Sequence, residues 1–294
     1  MWLYPLMQWT SLAYIMPASG EDMYTHSNYQ EAASYIKTRI NHAPEALIIL
    51  GSGLGRVANE LEASIKIPYR DIPHFKTSTA PSHEGMLVAG QLAGRNVLCM
   101  QGRLHIYEGY TPADVSFPVR VASMLGATRL VLTCACGGIN TAYNVGDLVM
   151  LTDYINLTHT GPLVGMDITG FDARFVDMCH AFDREYLALA KTEAGKMDTP
   201  LGEGVYFYMP GPQFETPAEI KAARVLGGDL VGMSVVHEVI MAKRRGMRVA
   251  GFGLVTNMAA GILDVPLTEE EIFIEGEKAR DRFAGLLRNF VAGM

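Results

Sequence analysis

Basic charge is in short supply in this chain: 24 Lys and Arg stand against 31 Asp and Glu, a formal net charge of −7. A general nucleic-acid binder needs a basic surface to neutralise phosphates, so that class is excluded. The only basic cluster, Lys243-Arg244-Arg245, falls late in a predicted helix, where the helix dipole already favours cations. Cysteine is also sparse. Cys99, Cys134, Cys136 and Cys179 have neither a disulfide-framework nor a metal-site spacing, and Cys134-x-Cys136 lacks the second pair a zinc site needs. They read as reduced thiols of a cytoplasmic protein. No long membrane-spanning run is present. The apolar stretch Met1–Pro17 holds both tryptophans, Trp2 and Trp9, but is broken by Pro5, Gln8 and Ser11 and lacks the basic start of a signal peptide. Residues 1–20 are therefore read as an extension, non-native or upstream in origin, or else a segment packed on a partner subunit. Repeats, low-complexity tracts and linkers are absent too, so residues 21–294 form one domain.

What is present is the material of a globular α/β protein: 49% hydrophobic residues, 30 glycines and 9% aromatics. Short apolar runs alternate with amphipathic helical stretches. The expected strands are 46–50, 86–89, 97–101, 129–134, 148–154, 205–209, 230–233 and 247–256, and the expected helices 30–41, 113–125, 184–194, 217–226, 235–245 and 269–290. Such alternation predicts a mixed, mostly parallel twisted central sheet flanked by helices on both faces. Thr216–Glu219 and Thr268–Glu271 spell capping boxes, and Ser234 can cap the helix over 235–245.

The most informative stretch is Gln101–Tyr110. Extended, it places Arg103, His105 and Tyr107 on one face, because side chains two apart point the same way. A cation, a second donor and an amphipathic ring suit an anion beside a polar ring. Gly51-Ser52-Gly53-Leu54-Gly55 follows an apolar strand and can aim N–H groups at an anion, or serve as a plain tight turn. It meets neither the dinucleotide fingerprint G-x-G-x-x-G nor a P-loop. Thr133–Gly138 and Val231–Ser234 are further strand exits that could line a pocket. Phe214 offers a stacking face and Glu215 a carboxylate just ahead of a helix that Thr216 already caps. Asn257 closes a strand with an amide that can donate to one base atom and accept from its neighbour. His83 lies in a loop between apolar strands.

Together these residues resemble the trimeric, 6-oxopurine-specific purine nucleoside phosphorylases of bacterial type, from about residue 45 to 275. The resemblance implies reversible phosphorolysis of inosine or guanosine to free purine and ribose 1-phosphate, in purine salvage. No cofactor or metal is implied; inorganic phosphate is the co-substrate. It implies phosphate bound by Ser52, His83, Arg103, His105, Ala135 and Ser234. The base would meet Phe214, Glu215, Asn257, Ala135, Cys136 and Gly137, and the ribose Tyr107 and Met233. Asn257, Glu215 and His105 would carry the catalysis, within a homotrimer that touches neither nucleic acid nor membrane. The chain departs from the pattern in three places. Glu269 stands where the family usually has a ribose-binding His, Cys134 and Cys136 flank Ala135, and His159 is the candidate where a neighbouring subunit usually lends an aromatic. A related phosphorylase acting on xanthosine or methylthioadenosine is the alternative within the family. A non-catalytic anion-binding α/β protein is the alternative outside it, and a dinucleotide oxidoreductase fails on glycine spacing.

Overall fold

Ala46–Leu50 is buried at all five positions, as a strand covered on both faces must be. It forms β1 of a sheet in the computed structural model, which describes residues 24–80, 83–166 and 174–294. The other strands are β2 (Glu62–Pro68), β3 (Met86–Leu92), β4 (Arg95–Gln101), β5 (Arg129–Gly138), β6 (Leu148–Asn156), β7 (Leu201–Tyr208), β8 (Leu230–Gly232) and β9 (Arg248–Met258). The helices are α1 (His26–Lys37), α2 (Pro112–Met124), α3 (Arg184–Lys196), α4 (Pro217–Val225), α5 (Val236–Arg244) and α6 (Glu269–Gly293). The expected extension over residues 1–20 lies outside the described residues. Among the described residues no helix is long and apolar enough to cross a membrane.

The strand order is β2-β3-β4-β1-β5-β8-β7-β6-β9, and β5 pairs with β9 as well. Five strands therefore close on themselves, while β2, β3, β4 and β1 extend from β5 as an open wing. Pairing is parallel for β1–β4, β1–β5, β5–β9, β6–β7 and β7–β8, and antiparallel elsewhere. Mixed and mostly parallel was the expectation; the closure was not foreseen. One apolar layer joins α1, α2 and α5 to one face of the sheet, and a second joins α3 and α6 to the other. A small third cluster seats Ile220 and Ala223 of α4 against Phe207 and Val231.

Several boundaries move for local reasons. Helix α1 starts a turn earlier than predicted, because the Thr25 N–H donates to Asn28 Oδ1 at 2.8 Å and fixes the start there. Thr133–Gly138 is not a strand exit: β5 runs on through both glycines. The edge strand β2 was missed because Ile67 is its only fully buried residue. Ser234 is not the cap of α5; Val235 holds that position with φ 74° and no side-chain cap bond is made. Between Cys136 and Gly137 the β5–β9 register shifts, so that Cys136 faces Val255 and Gly137 faces Asn257. Such a bulge re-aims side chains.

Helix α6 is locked by aromatic packing. Phe290, fully buried, meets Phe252 edge-on at 5.1 Å and Tyr186 at 5.4 Å. Phe290→Ala is expected to cost about 3–5 kcal/mol in urea denaturation followed by circular dichroism. A loss below about 1 kcal/mol would mean that this contact does not anchor the helix.

Candidate active site

The C-terminal ends of β1, β4, β5 and β9 converge on one cleft, the place where open α/β sheets put ligands. Of the residues singled out from sequence, Ser52, Arg103, His105, Tyr107, Ala135, Cys136, Gly137, Phe214, Glu215, Met233, Ser234 and Asn257 all line it. Cys134, Thr256 and Ile272 line it as well and were not singled out as ligand contacts. His83 and Glu269 are not in this wall. His83 borders a neighbouring cleft with Arg56 and Glu84, and Glu269 is exposed at the start of α6. His159 is exposed and does not line the cleft of its own chain.

The stretch 101–110 is not an extended strand. β4 ends at Gln101, and Gly102 turns the chain with φ 99°; a side chain there would strike His83, whose Cβ is 2.5 Å from the required position. Residues 106–108 then form a single 3₁₀ turn that Gly109 ends. The three side chains nevertheless come together. His105 stacks on Tyr107 with ring centroids 4.6 Å apart and on His83 at 5.3 Å. Glu108 holds this arrangement. Its Oε1 accepts from the His105 backbone N–H at 2.8 Å and lies 3.0 Å from His105 Nδ1, while Oε2 accepts from Thr79 N–H and Oγ1. Burial works to raise the Glu108 carboxyl, but the bonds from His105 and Thr79 outweigh it and hold the group at about 2. Sequence offered one signal for Glu108, the capping-box spacing from His105.

Arg103 is 2% exposed. Its Nη2 donates to the carbonyls of Ile49 at 3.2 Å and Thr133 at 2.8 Å, and Nε faces Glu238 Oε1 at 3.6 Å. Among the described residues only Nη1 has neither a hydrogen-bond nor an ion-pair partner, so the side chain offers a ligand one nitrogen rather than a two-nitrogen grip. His83 Nδ1 lies 2.8 Å from the Arg103 carbonyl oxygen and 3.2 Å from the Arg103 backbone N–H; the shorter contact selects the tautomer with the proton on Nδ1. Nε2 is then left 3.5 Å from the Ser52 hydroxyl. Burial, helped by His105, lowers His83 to about 4. Ser234 sits in a turn closed by the Val236 N–H donating to the Ser234 carbonyl at 2.8 Å, with Val235 at φ 74° and ψ −52°. A β-branched residue there stores backbone strain, on the order of 1–3 kcal/mol. The turn frees the Ser234 hydroxyl for the cleft, and the Ser234 N–H donates to Tyr206 Oη at 3.1 Å.

At the other end of the cleft Phe214 is half-exposed and the Glu215 carboxyl is pushed up by burial. Thr216 and Glu219 bond each other across the start of α4, which leaves Glu215 free of capping duty. Thr256 Oγ1 donates to Asn257 Oδ1 at 3.1 Å, and Asn257 Nδ2 donates to the Met258 carbonyl at 3.3 Å. Adjacent residues Thr256 and Asn257 both reach the cleft because of the bulge beside them. Between the two ends, burial first and then Glu108 and Glu269 push the Tyr107 hydroxyl up to about 12. Cys134 and Cys136 behave as small buried groups, their thiols donating to the carbonyls of Phe252 and Leu254. Among the described residues no group of three His, Cys, Asp or Glu is placed to hold a metal ion.

The family model of the Phosphorylase superfamily matches residues 45–292. Purine nucleoside phosphorylase 1 of Bacillus subtilis (strain 168) is 46% identical over 263 residues, which is 90% of this chain and 97% of that protein. A crystal structure of schistosoma purine nucleoside phosphorylase in complex with hypoxanthine superposes with a TM-score of 0.88 at 34% identity, covering 93% of this chain and 99% of that one. The Schistosoma mansoni enzyme in complex with inosine superposes with a TM-score of 0.87 at 33% identity, covering 92% and 98%.

Two histidines of this region are kept neutral by burial: His83, and His237 of α5, whose Nε2 lies 3.2 Å from Tyr208 Oη. Both fall from the ordinary 6.5 to about 4. Between those values the unfolded chain binds more protons than the folded one, so stability drops as pH drops. The expected fall is at most about 1.4 kcal/mol per pH unit for each histidine. Urea midpoints measured from about pH 6.5 down to about 4 should decline, and less steeply in His237→Gln. Equal slopes would show that His237 is not held neutral by the fold.

Proposed function

The chain belongs to the phosphorylase superfamily, and within it to the purine nucleoside phosphorylases; from that premise we propose that its substrates are 6-oxopurine nucleosides, inosine and guanosine, cleaved in purine salvage. The observation that carries the reading is a single cleft with an anion-binding end, Ser52, Arg103, His105 and Ser234, facing a base-binding end, Phe214, Glu215 and Asn257. Phosphate is held at the first end by the Arg103 Nη1, by His105, by the Ser52 and Ser234 hydroxyls and by the Ala135 amide, with His83 steadying Ser52. Ribose lies between Tyr107 and Met233, and Glu269, close enough for its charge to reach Tyr107, accepts from the 5′-hydroxyl.

The bound phosphate is itself the nucleophile. Its oxygen forms the new bond to the anomeric carbon as the bond to the purine breaks, and the bonding pair leaves with the base. Positive character develops on the sugar, as in glycoside hydrolysis. Negative charge develops on the purine, where Asn257 Nδ2 donates to N7 or O6, Glu215 accepts from N1–H, and Phe214 packs on the ring. Ala135, Cys136 and Gly137 form the floor. The Thr256 hydroxyl on Asn257 Oδ1 turns the amide nitrogen outward, which favours an oxo group over an amino group at position 6. A homotrimer with His159 reaching a neighbour's ribose is part of the same proposal. All four cysteines are free, which fits the reducing cytoplasm.

Release of base from inosine, guanosine, xanthosine, adenosine and methylthioadenosine, with and without phosphate, tests the reading. Phosphate-dependent release from inosine and guanosine is expected; faster turnover of adenosine would overturn the specificity. Asn257→Ala should lower kcat by about a hundredfold or more, the worth of one donor aimed at developing charge. Its phosphate KM should stay within about threefold of wild type, because Asn257 is at the base end. A near-normal kcat in that variant would remove Asn257 from the catalytic role.

A further inference from the structure

Glu238 is the charged group beside the cleft that the reaction leaves unused. It sits in the first turn of α5, where an acid ordinarily faces water and complements the helix dipole. Here it is 1% exposed, and neither carboxylate oxygen has a hydrogen-bond partner. Among the described residues its close charge partner is Arg103, with Nε at 3.6 Å. A buried carboxylate without hydrogen bonds is destabilising, so its presence calls for a use.

We propose that Glu238 is a positioning residue for phosphate: it fixes the Arg103 guanidinium so that Nη1 is presented to the anion. This rests on the reading of the Arg103 end of the cleft as the phosphate site. The geometry divides the guanidinium three ways. Nη2 is tied to the Ile49 and Thr133 carbonyls, Nε is drawn by Glu238, and Nη1 remains. The carbonyls hold one nitrogen and leave the plane free to pivot about it. A second restraint on the Nε side removes that freedom. The strained Val235 turn serves both ends of the device, bringing Ser234 to the cleft and starting α5 so that Glu238 points inward. Repulsion between the carboxylate and phosphate acts in the opposite sense. The sign of the change in phosphate KM on removing Glu238 separates the two effects.

The test is steady-state phosphorolysis of inosine, with phosphate and inosine varied separately, for wild type, Glu238→Ala, Glu238→Gln and Arg103→Lys, alongside thermal melting. Glu238→Ala is expected to raise the phosphate KM by about tenfold or more while the inosine KM moves less than about twofold. Glu238→Gln, which keeps an acceptor oxygen for Nε, should return the phosphate KM to within about threefold of wild type. If Glu238→Ala does not fold, Glu238→Asp, which withdraws the carboxylate from Nε by one methylene, should raise the phosphate KM several-fold. An unchanged or lowered phosphate KM, a parallel rise in both KM values, or a Gln variant no better than Ala or Asp would overturn the proposal. An unchanged phosphate KM in Arg103→Lys would instead overturn the phosphate-site reading itself.

Discussion

A guanidinium in a protein interior must have its charge compensated and its N–H groups answered. Arg103 meets that demand on all but Nη1, and does so from three elements at once. Strand β1 stays in register with β5 only as far as Ile49 and Leu132, after which β5 continues beside β9 but without β1. The Thr133 carbonyl is thereby left without a partner from β1, and Arg103 Nη2 takes it together with the Ile49 carbonyl. The Gly51 N–H fills the same gap by donating to Thr133 Oγ1 at 2.9 Å. The side chain thus caps the sheet where it divides, and the cleft opens at that division. Helix α5 supplies the counter-charge, which sets how close its first turn must come.

The same construction recurs around the cleft. Four of the groups that can reach a ligand are each tied by a neighbour: His105 by Glu108, Ser234 by Tyr206, Asn257 by Thr256 and Arg103 by Glu238. The tying residues come from a 3₁₀ turn, from β7, from β9 and from α5. Layers of apolar packing hold those elements, and the short polar contacts convert that rigidity into fixed side-chain directions. Glycine also serves packing here. Gly53 of the Gly51–Gly55 loop lies against Gly276 of α6, where a Cβ on either would come within 3.0 Å of the other's Cα. Part of that loop's glycine content therefore belongs to helix docking.

Which features the sequence disclosed depends on whether the cause was local. Continuous apolar runs such as Ala46–Leu50 disclosed buried strands, and Thr216 with Glu219 disclosed the start of α4. Strand β2 did not, since its polar residues match a solvated loop as well as an edge strand. Arg103, His105 and Tyr107 were found from an alternation that assumed an extended chain. They share a cleft for another reason, the Gly102 turn and a stack of three rings. Ser234 looked like a helix cap because nothing local announces that Val235 adopts φ 74°. Nothing local marks Glu108 and Glu238 as buried side chains, because burial is decided by what packs over them. The bulge at Thr256, opposite the Cys136–Gly137 step, has no local signal either, yet it brings Thr256 and Asn257 to the cleft together.

That bulge bears on the choice of purine. An asparagine can face a base with either end of its amide, so the residue type by itself does not decide between an oxo and an amino group. What decides it is which end is already engaged. Thr256 Oγ1 is 3.1 Å from Asn257 Oδ1 and 3.4 Å from the Cys136 carbonyl, and one hydroxyl proton serves both acceptors. Given to Asn257, the proton turns the amide nitrogen toward the base; given to Cys136, it leaves the hydroxyl oxygen free to accept from a flipped amide. The Met258 carbonyl weighs in for the first arrangement, since only Nδ2 can bond it. On the proposed function, then, preference for a 6-oxo group is a property of Thr256, Asn257 and the Met258 carbonyl acting together, set up by a register shift in the sheet.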